Sequence, residues 1–116
     1  MTSLQFRDAL AIVESNNDPH AWGDSGLAMG RWQVHPAWVY AYLRITGVQP
    51  AVRESWDSLI GRIVESFFES RPTSCTPIQS AMWFHIGHRT DESQGDWDID
   101  YAGLFLEACE KIGAAI

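Results

Sequence analysis

Apolar residues recur along this chain at three- and four-residue spacing, interrupted by polar loops. Phe6, Ala9, Leu10 and Val13 form one such stripe and predict a first helix over about 4–15, with Ser3 as its N-cap. "NNDPHAWGDSG" follows and is loop by composition. "AMGRWQV" reads as a strand fragment or as the lead-in to the next helix. Pro36 suits the first turn of a second helix running to about Ile45, stopped by Gly47 and Pro50. Ser55 caps a third helix, about 56–70, whose buried side is Trp56, Leu59, Ile60, Ile63, Val64, Phe67 and Phe68; Pro72 ends it. Thr76 followed by Pro77 opens a fourth helix that reaches Phe84–Gly87. A fifth, about 99–112, packs Ala102, Phe105, Leu106, Cys109 and Ile112, and Gly113 closes it. The pattern predicts one all-α domain over residues 1–116, with a short β-ribbon or an irregular loop after the first helix.

Composition narrows the possibilities. A chain of 116 residues, 46% hydrophobic and without internal repeats, builds one modest core. No apolar run approaches the ~18 residues a membrane span needs. The N-terminus has no basic segment followed by an apolar core, so synthesis in the cytoplasm without a signal peptide is expected. The net charge is −7 and the eight Lys and Arg are scattered, which argues against nucleic acid as a partner. Cys75 and Cys109 make no metal pattern and read as two small buried thiols. If helices four and five pack antiparallel, the two cysteines are expected near one another.

The chemistry concentrates in "VESNNDPHAWGDSGLAMGRWQVHP". Glu14 lies in the last turn of the first helix, where the helix dipole disfavours an anion, and beside apolar residues. A carboxyl withdrawn from water holds its proton to higher pH, as a general acid for glycosidic cleavage must. Asp24, in "WGDSG", has a polar, glycine-flanked setting that keeps it ionised. Two acids with such different settings fit glycoside hydrolysis. Gly23, Gly26 and Gly30 allow unusual backbone conformations and close approach of a substrate chain. Trp22 and Trp32 offer aromatic faces to pyranose rings, and Gln33 offers donor and acceptor to a sugar amide or hydroxyl. Trp38, Trp56 and Trp83 fall where helix cores lie. His20, His35, His85 and His88 lack strong ligand spacing, so neither metal nor cofactor is expected.

Glu14-Ser15 closing a first helix, then "WGDSGLAMGRWQV", resembles the lysozyme superfamily, above all goose-type lysozymes and soluble lytic transglycosylases. Goose-type enzymes carry Trp-Gly-Asp-x-Gly, three residues, then Gly-x-x-Gln-Val. A second segment, "AMWFHIGH", sits in register with their Ala-Tyr-Asn-x-Gly. The resemblance covers Leu4–Pro36 and roughly Ile78–Gly87. It implies a lysozyme-like fold, Glu14 as general acid and Asp24 as the carboxylate that positions water. It implies substrate contacts from Gln33, from Ser15 and Gly30 of the motif, and from Phe84 and His85, which face the cleft. Phe84 stands where the family has tyrosine, His85 where it has asparagine, His35 where goose-type enzymes have a further acid, and Arg31-Trp32 replaces Leu-Met.

The resemblance implies a muramidase that cleaves peptidoglycan glycan strands between N-acetylmuramic acid and N-acetylglucosamine. Two alternatives stay open: a lytic transglycosylase giving a 1,6-anhydro product, and an inactive module of the same shape that binds glycan or protein. Action on the wall would follow release or delivery, by a phage, a virion or a partner machine of the cell wall.

Overall fold

The computed structural model describes residues 1–116. Its helices are α1 (Ser3–Ser15), α2 (Pro36–Thr46), α3 (Trp56–Glu69), α4 (Pro77–Ile86) and α5 (Ile99–Lys111). Between α1 and α2 lie two short strands, β1 (Trp22–Gly23) and β2 (Ala28–Met29), joined by a 3₁₀ turn at Asp24–Gly26. They pair antiparallel, Trp22 with Met29 and Gly23 with Ala28, so "AMGRWQV" contributes a strand. The protein is thus a compact, mostly helical single domain with one small ribbon.

Local chemistry sets the helix ends. Thr2 caps α1: its hydroxyl accepts from the Gln5 N–H, and the Gln5 side chain accepts from the Thr2 N–H at 2.9 Å. The expected cap, Ser3, loses because three residues on it meets Phe6, which has no acceptor. Its hydroxyl instead donates to Glu69 Oε1 at 2.7 Å, tying α1 to the end of α3. Ser55 and Thr76 cap α3 and α4 as expected, the latter in a capping box with Gln79. Asp98, not anticipated as a cap, opens α5 by accepting from the Tyr101 N–H.

The core lies where α3 and α5 pack against α1. Phe6, fully buried, stacks on Phe68 with ring centroids 4.4 Å apart and tilts onto Phe105 at 5.8 Å. Leu10, Ile60, Ile63, Val64 and Met82 complete the apolar contact. Val13 and Ile112 pack at its edge, half-buried. Trp38 and Trp56 are also half-buried against it rather than central, and Trp83 meets Phe67 edge-on. Leu106, expected in the core, is 44% exposed. The α5 stripe is centred on Tyr101, Phe105 and Ala108 instead, and a residue one step past Phe105 turns some 100° away.

Both cysteines are buried free thiols. Cys75 Sγ sits 3.3 Å from Ser80 Oγ at the start of α4. Burial pushes the Cys109 thiol up to about 11.

Candidate active site

Glu14 reaches its place because α1 ends one residue later, at Ser15. Asn16 adopts the left-handed conformation at the C-cap, and Asn17 repeats it. The chain then leaves the helix at once, and the last turn meets Tyr101 of α5, His85 of α4 and Arg31 of the returning loop. The Tyr101 hydroxyl, from α5, donates to Glu14 Oε2 at 2.7 Å. Burial raises the Glu14 carboxyl above the ordinary range for glutamate; the Tyr101 hydrogen bond and the nearby His85 imidazole pull the other way and only partly offset it. Burial and the adjacent carboxylate together push the Tyr101 phenol well above its usual value, so it stays a donor.

Glu14 opens into a groove of about 440 Å³. Gln33, Val34 and His35 form one wall from the loop; Ala37 and Trp38 of α2 and Phe84, His85 and Ile86 of α4 form the rest. Glu14 is the only carboxylate among its lining residues. The groove is therefore half apolar, with one half-buried acid, two imidazoles and an amide. A larger depression, about 520 Å³, lies over α1 and α3. Its three arginines are already engaged: Arg7 with Asp8 at 3.3 Å, Arg31 with Asp57 at 2.9 Å and Arg62 with Glu54 at 2.6 Å, the last holding the Glu54 carboxyl down to about 2.

The loop wall is built from strained backbone. Asp24 and Ser25 have φ of 51° and 56°, in the left-handed region that costs a residue with a Cβ about 1–3 kcal/mol when it is imposed. Gln33, at φ 48°, shares it. Two glycines explain how the wall closes. Gly30, at φ 84°, is buried, with its N–H donating to Ala21 O at 2.9 Å. Gly23 is extended, but a Cβ there would lie 2.3 Å from Gln33 Oε1. The close approach that requires this glycine is therefore made by Gln33 and not by a substrate.

The sequence-derived site residues divide accordingly. Glu14, Gln33, His35, Phe84 and His85 line one groove. Gln33 also braces the wall, its Nε2 donating to Ala21 O at 3.1 Å and Gly30 O at 2.9 Å. Ser15 stands beside Glu14 in sequence but does structural work: its hydroxyl donates to Arg31 O at 2.7 Å and accepts from the Asp18 N–H. Trp32 is corrected from a sugar platform to a core residue. It is 5% exposed, packs on Gly61 of α3, and donates its indole N–H to Arg7 O at 2.8 Å. Trp22, 66% exposed, keeps an open face, but it lines with Gly30 and Trp56 a separate groove of about 340 Å³. Asp24 points to the rim and pairs with His35 Nε2 at 2.8 Å; it is not among the residues lining the Glu14 groove. His85 and His88 diverge rather than converge, His85 on Asp98 at 3.0 Å and His88 on Asp96.

Tyr101 is the residue bonded to Glu14 that the sequence pattern did not single out. Its signal was present: a phenol at the apolar centre of a helix stripe must find a hydrogen-bond partner when buried.

No protein-family model, curated protein or solved structure matches the chain.

Proposed function

We propose that this protein cleaves peptidoglycan glycan strands between N-acetylmuramic acid and N-acetylglucosamine, with Glu14 as the general acid. The observation that carries the reading is Glu14 itself: a carboxyl withdrawn from water, held toward its protonated form, oriented by a phenol and facing an open groove. The lysozyme-like segments, Glu14-Ser15 and "WGDSGLAMGRWQV", supply the substrate class. Glu14 donates its proton to the bridging oxygen as the bond to the muramic acid C1 breaks. Phe84 and Trp38 give the groove apolar faces that suit sugar rings. In the muramidase form of the reading, Asp24 orients the attacking water, which for inversion requires two carboxyl groups about 6.5–9.5 Å apart. His35, on the groove's rim and bonded to Asp24, ties that carboxylate to the site.

A second reading is a lytic transglycosylase, in which the sugar's own C6 hydroxyl attacks and no second acid is needed. It is favoured by the absence of any carboxylate but Glu14 from the groove lining. Turbidity clearing of permeabilised bacteria by the wild type and by Glu14→Gln tests the shared claim. Mass spectrometry of the released muropeptides separates the two: a reducing end marks hydrolysis, a 1,6-anhydro end transglycosylation. Failure of the wild type to release any muropeptide would favour a binding module instead.

A further inference from the structure

Glu14 is oriented by the Tyr101 hydroxyl, and the Tyr101 ring is itself clamped. His85 of α4 lies face to face with it, ring centroids 3.8 Å apart and planes within 6°. The imidazole is anchored in turn, with Nε2 3.0 Å from Asp98 Oδ2. Asp98 returns to the starting point, because its other oxygen accepts the backbone N–H of Tyr101 at 3.1 Å. Asp98, the imidazole and the phenol thus close a ring of contacts across the α4–α5 junction, with only the hydroxyl projecting to Glu14. The cap and the His85 bond both hold the Asp98 carboxyl below its ordinary range, so the anchor stays ionised.

We infer that His85 is a positioning residue for Glu14, acting through the Tyr101 ring it stacks on. The inference rests on reading Glu14 as the acid. Its geometric basis is that a side chain one-third exposed at the groove edge is nonetheless fixed in plane by a partner on each side. Without the imidazole, the phenol has an open face toward the groove, and its hydroxyl is free to swing off the carboxyl. The titratable groups around Glu14 are Tyr101 and Asp98 from α5, His85 from α4 and His35 from the loop.

The test uses the whole chain with His85→Ala, His85→Phe and Tyr101→Phe, singly and combined. His85→Ala is expected to lower kcat about ten- to a hundredfold, as small misplacements of catalytic groups do, with KM within about twofold. His85→Phe, which restores a stacking ring, should recover most of that loss. In the Tyr101→Phe background, His85→Ala should cost less than about twofold more, since the hydroxyl it positions is gone. Full additivity, or equal losses in the Ala and Phe variants, overturns the proposal. A second readout does not depend on glycan cleavage: the Glu14 carboxyl ¹³C resonance followed against pH. Losing the hydrogen bond and the imidazole should move its midpoint upward in His85→Ala and less in His85→Phe. An unmoved midpoint refutes the positioning role even if the enzyme is lytic. A moved midpoint in a non-lytic protein refutes the glycosidase reading alone. If the Ala variant does not fold, His85→Asn, which can bond Asp98 but cannot stack, carries the same comparison.

Discussion

The Tyr101 hydroxyl and Glu14 Oε2 lie 2.7 Å apart although 87 residues separate them in the chain. One contact therefore joins the first helix to the last at the point where a carboxyl is withdrawn from water. It fixes the acid's direction without neutralising its tendency to keep a proton, because burial outweighs the hydrogen bond.

Glu14→Gln is expected to keep the fold and lose at least about 10²–10⁴-fold in lytic rate, the usual weight of a general acid. Its effect on stability has a definite sign. The folded carboxyl titrates above its unfolded value, so between those two pH values the native state binds more protons than the unfolded one. Stability then falls as pH rises through that window. The Gln variant, which never ionises, should melt higher than the wild type above the window, and the gap should close below pH about 4.5, the ordinary value for glutamate. Melting curves from pH 4 to 9 check it; a gap that widens toward acid would contradict the burial argument.

Tyr101→Phe removes the donor and leaves the ring. The hydrogen bond lowers Glu14's affinity for its proton, so its loss should raise the titration further and extend the alkaline limb of the lytic pH profile. A buried acceptor left unpaired costs about 1–3 kcal/mol, more when charged. The destabilisation should therefore be larger at pH 8 than at pH 5. A pH-independent loss of stability would mean that the hydroxyl only packs.

Much of the fold was legible because helix ends depend on neighbours in sequence. Ser55, Thr76-Pro77 and Gly87 act through residues three or four away, and the expected helices start and stop there. Glu14 was legible for a similar reason, since an acid in a dipole-opposed last turn is a local conflict. Tyr101's role was not, because its partner comes from the other end of the chain. Trp32 misled because the loop turns back onto α3, where Gly61 leaves room for the indole, and no periodicity within the loop records that return. Asp24 matched the motif, while its pairing with His35 follows from the left-handed turn that aims it at the rim.

Asp24→Asn separates the two outcomes of cleavage. A hydrolase that uses Asp24 to orient water should lose most of its activity, about 10²-fold or more. A transglycosylase should lose less than about threefold, on the same view that no base is removed. A reducing-end product from the wild type with an inactive Asn variant supports the muramidase form. An anhydro product with an active variant supports the other.

Gly23→Ala tests the loop wall without touching the acid. Its Cβ would fall 2.3 Å from Gln33 Oε1, so the amide must move and loosen its bonds to Ala21 O and Gly30 O. The expected cost is about 1–3 kcal/mol, the range for overpacking and for a lost buried hydrogen bond. Gln33→Ala made in the same background should restore part of it by removing the clash. Urea unfolding of the single and double variants measures both, and purely additive losses would show that the amide is not what Gly23 accommodates.

The two loop tryptophans, ten residues apart, should respond in opposite ways. Trp22 is 66% exposed, and Trp22→Ala is expected to change the unfolding free energy by less than about 0.5 kcal/mol, as surface substitutions usually do. Trp32 is 5% exposed and anchored to Arg7 O, so Trp32→Ala should cost about 3–5 kcal/mol through the cavity against Gly61 and the carbonyl left unpaired. Trp32→Phe keeps most of the ring volume and loses only the N–H donor, so its cost should fall well below that of the alanine change. Fluorescence adds an independent check: acrylamide should quench the emission lost in Trp22→Ala efficiently and the emission lost in Trp32→Phe poorly. If Trp32 proves as quenchable as Trp22, the loop does not close onto α3, and the wall that places Gln33 and His35 beside Glu14 has no support beneath it.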